Sequence, residues 1–497
     1  MSDSDISTEP EINPIVAKLS DFSDRLSPMI VKELRQGLRT QTFTGTFLIL
    51  QVILAFGMLG AMLSTSSNTG ALISSMVFFL FSTVALIFQP LRGVYAVSTE
   101  LKDDTLEIMS LTRLSSMRIV YGKWASIVGQ TILMLTAVIP YLVLRYFFGG
   151  MQLFAELSML FTVFFLSACM TAVTVGVSCS SSVVLRAIVP LALIPGGFMV
   201  ISGMIAGREF GALQRVFSFQ DKETNIVLLV FAVVSTYVGY YFLDMGVSKI
   251  APLAENHSLR KRSVSLLLMC LILVILFLNP PAQMGSFAVM LIFMCTIGLD
   301  VCTEKAVTVP STVLPYVKRG GIIQLIGRYF FYPGWHSGFL LLSLMFGATF
   351  LVAALSFREY PAAPVGLTPE ISLVIIGVFY TIVTPLLVIR IFAHKIKDPF
   401  PFYILTLILS GFLTTLVGIL GEVTRTGTSG FQILMSWVPG VWLFFLDSDE
   451  EIGGLFFTGT CLAVVYVLLV VMAQKEFRLT YAIEARAKRS LEETEES

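Results

Sequence analysis

The sequence predicts an all-α polytopic membrane protein with about twelve transmembrane helices in two six-helix halves, and three observations predict it. Hydrophobic residues make up 56% of the 497 and charged residues only 13%, against roughly 45–50% and about 25% in a soluble domain. The apolar residues gather in runs of about 20, the length that a hydrocarbon core about 30 Å thick demands of a helix. Backbone amides in lipid must pair within their own segment, so runs of this length read as helices. Finally, when the runs are taken as alternate crossings, 27 of the 33 Lys and Arg residues fall on one side and 6 on the other. The positive-inside rule makes the richer side cytosolic.

In chain order, residues 1–26 are polar and acidic. They lack the basic and apolar regions of a secretory signal and read as a disordered cytosolic tail. Runs bounded by charge, Pro, Gly or Asn place spans at 44–64, 71–92, 124–148, 153–179, 183–206, 225–247, 264–279, 285–301, 336–357, 370–393, 401–421 and 453–473. A thirteenth run, 431–446, is short and interrupted by Pro439 and Gly440. Reading it as re-entrant keeps both termini cytosolic. The second span of each half is followed by a long connection, 93–123 and 302–335, and a Pro-Gly break falls at or after the fifth span (Pro195 and Gly196; Pro439 and Gly440). The halves are thus 27–263 and 264–474, followed by a charged cytosolic tail, 475–497.

Charge and cysteine content exclude several classes. Net charge is zero, with 33 basic and 33 acidic residues, so no overall field points to nucleic acid. The six cysteines lie in or beside apolar runs without a CxxC pair and read as packing residues. No metal site is expected, because His257, His336 and His394 show no paired spacing. Ionisable residues in spans mark function by default, but Arg145, Glu156, Asp244, Asp300, Arg186 and Arg390 all lie near span ends. They form no mid-membrane relay of the kind a proton- or sodium-coupled carrier uses.

Two connecting segments carry more. In 27–39, Ser27 suits a cap and Pro28 a first turn. Ile30, Leu34 and Leu38 then share one helical face, and Lys32, Arg35 and Arg39 another. This is a basic amphipathic helix lying flat at the inner interface, or simply a basic anchor. In 98–118, Glu100, Asp103, Asp104 and Glu107 fall at i, i+3, i+4 and i+7 on one face. An acidic face on the basic side suits a basic groove of a soluble partner; a solvated loop helix is the competing reading.

Together these two segments resemble the ABC-2 type permease family, the membrane subunits of ATP-driven exporters. Lys32-Glu33-Leu34-Arg35 and Arg39 match the family's N-terminal interfacial helix. Glu100, Thr105-Leu106-Glu107, Leu114-Ser115 and Gly122-Lys123 match its cytosolic coupling helix. Asp104 stands where the family usually has Gly, and Arg113 where it usually has Pro. The resemblance covers about residues 27–250 and does not visibly extend to the second half.

The resemblance implies a permease subunit of an exporter in a bacterial-type plasma (inner) membrane. Its coupling helix would sit in a cleft of a separate ATP-binding subunit through Glu100, Asp103, Asp104, Thr105, Leu106, Glu107 and Arg113. ATP and Mg would be bound by that partner, and a second permease chain is a further partner left open. The chain itself has no GxxxxGK[ST] loop, so it is expected to be no ATPase and to hold no cofactor. In the second half, Ile322, Leu325, Ile326, Tyr329 and Phe330 form an apolar helical stripe. By position this is a second coupling element or, equally, a lipid-facing anchor. A non-transporting scaffold or a secondary carrier is the competing function.

Overall fold

A computed structural model describes residues 28–63, 69–102, 115–148, 152–180, 182–206, 215–252, 255–278, 283–306, 309–356, 369–392, 398–424, 435–446 and 451–496. Among the described residues there are helices and turns and no strand. In chain order the helices are α1 (Pro28–Leu38), α2 (Gln41–Leu63), α3 (Thr69–Leu101), α4 (Ser116–Tyr146), α5 (Leu153–Ser178), α6 (Val183–Ala206), α7 (Lys222–Ile250), α8 (Ser258–Leu278) and α9 (Gln283–Val301). They continue with α10 (Leu314–Arg319), α11 (Gly321–Phe331), α12 (Trp335–Ser356), α13 (Pro369–Ile391), α14 (Pro399–Thr424) and α15 (Glu451–Glu496).

Among the described residues, eight helices are long and apolar enough to cross a membrane, and nine if α11 and α12, bent by 91° at their junction, count as one span. At 1.5 Å per residue, a helix of 23 residues such as α2 reaches roughly 35 Å, enough for a hydrocarbon core. The outward faces agree: Phe56 of α2, Phe412 of α14 and Phe456 of α15 are exposed apolar side chains. Such faces need lipid rather than water around them. The protein is therefore a multi-pass, all-α membrane protein. Each expected span coincides with a helix, but α6, α8 and α9 fall short of spanning length and composition over their described parts, so twelve crossings are not established.

Local chemistry fixes the ends. Ser115 caps α4 by accepting from the Arg118 amide at 3.4 Å, and Asp221 caps α7 through Thr224. Residues 84–88 of α3 form a wide π turn whose Ala85 carbonyl accepts from Ser167 of α5. A freed carbonyl inside a membrane protein needs such a donor. Residues 435–446 are turns and a 3₁₀ segment, not a spanning helix. The charged stretch expected as a separate tail is the continuation of α15, which runs unbroken for 46 residues.

The order of packing repeats. In the first half α3 packs on α2, α4 and α5, and α5 packs on α7. In the second, α9 packs on α8, α12 and α13, and α13 packs on α15. The halves meet where α7 lies against α8 and α9, and where α6 lies against α14.

The α5–α7 crossing is a backbone contact: a Cβ on Gly246 would lie 2.8 Å from the Gly176 carbonyl oxygen, and one on Gly176 would overlap the Phe242 carbonyl. Small residues permit such approach. Gly176→Ala is expected to lower stability by about 1–3 kcal/mol, the usual cost of overpacking. A thermal melt in detergent that matches the unmodified protein would refute a tight crossing.

Candidate functional site: the basic face

Lys123 lies in the first third of α4, behind the Ser115 cap, and its ammonium is buried in a membrane-facing bundle. It needs anionic partners there, and it has two. Glu33 of α1 is 3.3 Å away and Glu100, at the end of α3, is 2.7 Å away, with all three side chains largely shielded. Gly122, the preceding residue, lets α1 approach closely: a Cβ there would meet Met29 at 3.0 Å, and one on Gly129 would meet Leu34 at 3.3 Å.

The apolar face of α1 is thus spent on α4. Met29 is buried and Leu38 packs on the core of the first half, while Lys32, Arg35 and Arg39 are exposed. The helix is amphipathic as expected, but its apolar side faces protein. Periodicity gives a helix an apolar side without saying what covers it.

The root of segment 98–118 is held from three directions. Arg92 of α3 donates to Gln130 of α4 and lies 3.3 Å from both Gln89 and the Thr40 hydroxyl. The Val97 amide donates to Ser178 of α5 at 3.3 Å. Residues 98–102 are helical and Ser115 begins the cap of α4. Asp103, Asp104, Thr105, Leu106, Glu107 and Arg113 lie outside the described residues. Of the acidic face, Glu100 alone is placed, and it turns inward to Lys123.

A second cluster joins the halves at the same face. Three consecutive cations open α8, and each takes a different carboxylate. Arg260 pairs with Asp244 of α7. Lys261 pairs with Asp300 of α9 at 2.5 Å, and Asp300 also accepts from Tyr241 at 3.1 Å. Arg262 pairs with Glu304 and donates to the carbonyls of Phe330 (2.7 Å), Tyr332 (3.0 Å) and Gly334 (3.0 Å) and to Ser337 (2.9 Å). These acceptors span the 91° junction from the end of α11 to the first turn of α12, so one guanidinium ties the two helices together at the bend. Burial raises the Glu304 carboxyl, but Arg262 and then Lys261 beside it more than offset this and hold it below its ordinary value.

Beside this cluster lies a cavity of about 340 Å³, walled by Leu101, Ser180, Lys249, Asp300, Glu304 and Phe400, among others. Its volume is at the lower end of that of ligand pockets. The Lys249 ammonium sits 3.6 Å from the centre of the Phe400 ring, a cation–π contact across the two halves. Among the described residues no group of three or more His, Cys, Asp or Glu is placed to hold a metal.

The second connection is also built at this face. The Ile322, Ile323, Leu325 and Ile326 side chains of α11 are exposed, as an interfacial helix requires. Its other side packs on α15 through Arg328, which pairs with Glu484, and through Tyr329, whose ring lies 5.3 Å from Phe477. His336, expected at the interface, is buried and hydrogen-bonded to Thr480 at 3.1 Å. Sequence reasoning missed the three-way pairing of residues 260–262. The available signal was a basic triplet at the head of an apolar run, facing helix ends that carry Asp244, Asp300 and Glu304.

Comparisons of the chain with protein-family models, with curated proteins and with solved structures find no match.

Proposed function

We propose that this chain is the membrane-embedded permease subunit of an ATP-binding cassette transporter of the ABC-2 type. It would export a substrate across a bacterial plasma membrane, while a separate subunit binds ATP and Mg and hydrolyses the nucleotide. On this reading α6, α8 and α9 complete twelve crossings, and both termini are cytosolic.

One observation carries the proposal. The residues that match the interfacial helix and those that match the coupling helix are far apart in sequence, yet Glu33, Glu100 and Lys123 meet in one shielded cluster. Motion imposed on segment 98–118 would pass through Lys123 into α1 and α4 together, which is the linkage a transmission element needs. The inward turn of Glu100 leaves Glu107 as the better residue for contact with the partner.

The test is co-purification in mild detergent followed by reconstitution into vesicles. An ATP-binding cassette subunit is expected to accompany the protein. Glu107→Lys is expected to weaken that association about tenfold or more, the scale of losing one charged contact. A monodisperse, folded protein that never retains an ATPase would refute the reading.

A further inference from the structure

The connection between α9 and α12 differs in charge from the one between α3 and α4. Residues 98–118 carry Glu100, Asp103, Asp104 and Glu107. From 305 to 358, by contrast, the sequence contains no Asp or Glu, and the cations of the connection are Lys305, Lys318, Arg319 and Arg328. Two of these are occupied: Lys305 lies 3.9 Å from Asp398, and Arg328 pairs with Glu484. Lys318 and Arg319, at the end of α10, are exposed and pair with no carboxylate among the described residues.

These two cations stand immediately before an apolar helix. Gly320 and Gly321, at φ +61° and +57°, turn the chain between α10 and α11, a conformation that costs glycine little. In α11, Ile322, Leu325 and Ile326 fall at i, i+3 and i+4 on one side; Ile322 is 74% exposed and Leu325 50%. The opposite side is closed by protein, since a Cβ on Gly327 would overlap the Tyr316 ring. α12 coincides with an expected span, and α11 meets it at 91°. A helix at right angles to a crossing lies along the membrane surface, where its apolar side reaches acyl chains and an adjoining cation reaches headgroups.

We propose that α11 is a lipid-binding element: Ile322, Leu325 and Ile326 sit among the acyl chains of the leaflet on the basic face, and Lys318 and Arg319 hold the phosphates of anionic lipids there. The positive-inside rule makes that leaflet cytosolic, and the cytosolic leaflet carries the negative surface potential that attracts such cations. Charge also argues against a soluble occupant of the kind that suits residues 98–118, because a basic groove would meet Lys318 and Arg319 as like charges. The first connection thus offers acids to a protein, and the second offers cations and an apolar side to lipid. Arg262 ties α11 to α12, so lipid held by α11 bears directly on the bend. The inference goes beyond the function proposed above and holds whether or not the chain is a transporter subunit.

The test places the photo-crosslinker p-benzoylphenylalanine at Ile322 of the full chain in vesicles of equal parts phosphatidylglycerol and phosphatidylcholine, and identifies the adduct by mass spectrometry. A lipid adduct is expected, with phosphatidylglycerol favoured about fivefold or more, the factor for one cation at an anionic surface. Lys318→Gln with Arg319→Gln is expected to bring that ratio close to one while lipid is still captured, because the apolar side is unchanged. No lipid adduct, or an adduct to a protein chain in its place, would overturn the insertion. Equal capture of the two lipids without the double substitution, or a preference that survives it, would overturn the headgroup contact. An ATP-binding subunit that never associates refutes the permease reading and leaves this outcome unchanged.

Discussion

Arg262→Ala is expected to destabilise the protein by about 3–5 kcal/mol, the range for removing one partner of a buried ion pair. Arg262 is 1% exposed and holds Glu304 together with three backbone carbonyls at the bend between α11 and α12. Without it Glu304 keeps Lys261, at 3.8 Å, and Ser258, while the carbonyls lose their donor in a place water reaches poorly. Arg262→Lys is not expected to rescue, because an ammonium on a single stem cannot span that set of acceptors. The measurement is thermal unfolding in detergent for both variants. A lysine variant as stable as the unmodified protein would show that charge, not the fork, does the work.

At the opposite end of the first half, Arg145 of α4 and Glu156 of α5 are 2% and 4% exposed and 3.4 Å apart, with Ser74 of α3 between them, donating to Glu156 at 3.0 Å. Arg145→Met alone or Glu156→Leu alone is expected to cost about 3–5 kcal/mol by leaving a buried charge unpaired. The double variant is expected to cost clearly less than either, because both desolvated charges go together. A double variant whose loss equals the sum of the two singles would mean that the pair is not coupled.

The architecture was legible from the sequence where it depended on a single segment. Length and apolarity located the helices, because the bilayer imposes one length on every crossing. Pro439 and Gly440 fall among the turns that, with a 3₁₀ segment, make up the described residues 435–446. What depended on two distant segments was hidden. Arg145, Glu156, Asp244 and Asp300 read only as ionisable residues near span ends, yet each is one half of an ion pair between two helices.

The extension of α15 was hidden for a different reason. Its buried face is made of Ala473, Thr480, Glu484 and Ala487, only two of them apolar, so hydropathy alone makes it resemble a solvated tail. The candidate site divides likewise. The face of α1 was visible as helical periodicity, whereas the role of Lys123 as the charge between Glu33 and Glu100 was not, since nothing in its own neighbourhood predicts two carboxylates from elsewhere.

Arg328 and Glu484 are separated by 156 residues, and that interval is also a length of time. At about 5–20 residues per second, a ribosome needs roughly ten to thirty seconds to supply Glu484 after Arg328 has emerged. Arg260, by contrast, follows Asp244 by 16 residues, a delay of roughly one to three seconds at the same rate. The junction between the halves is therefore secured early in synthesis. The bent elbow of the second half waits until Glu484 has been made, so a nascent chain that stops before Glu484 carries an elbow whose Arg328 has not yet met its carboxylate.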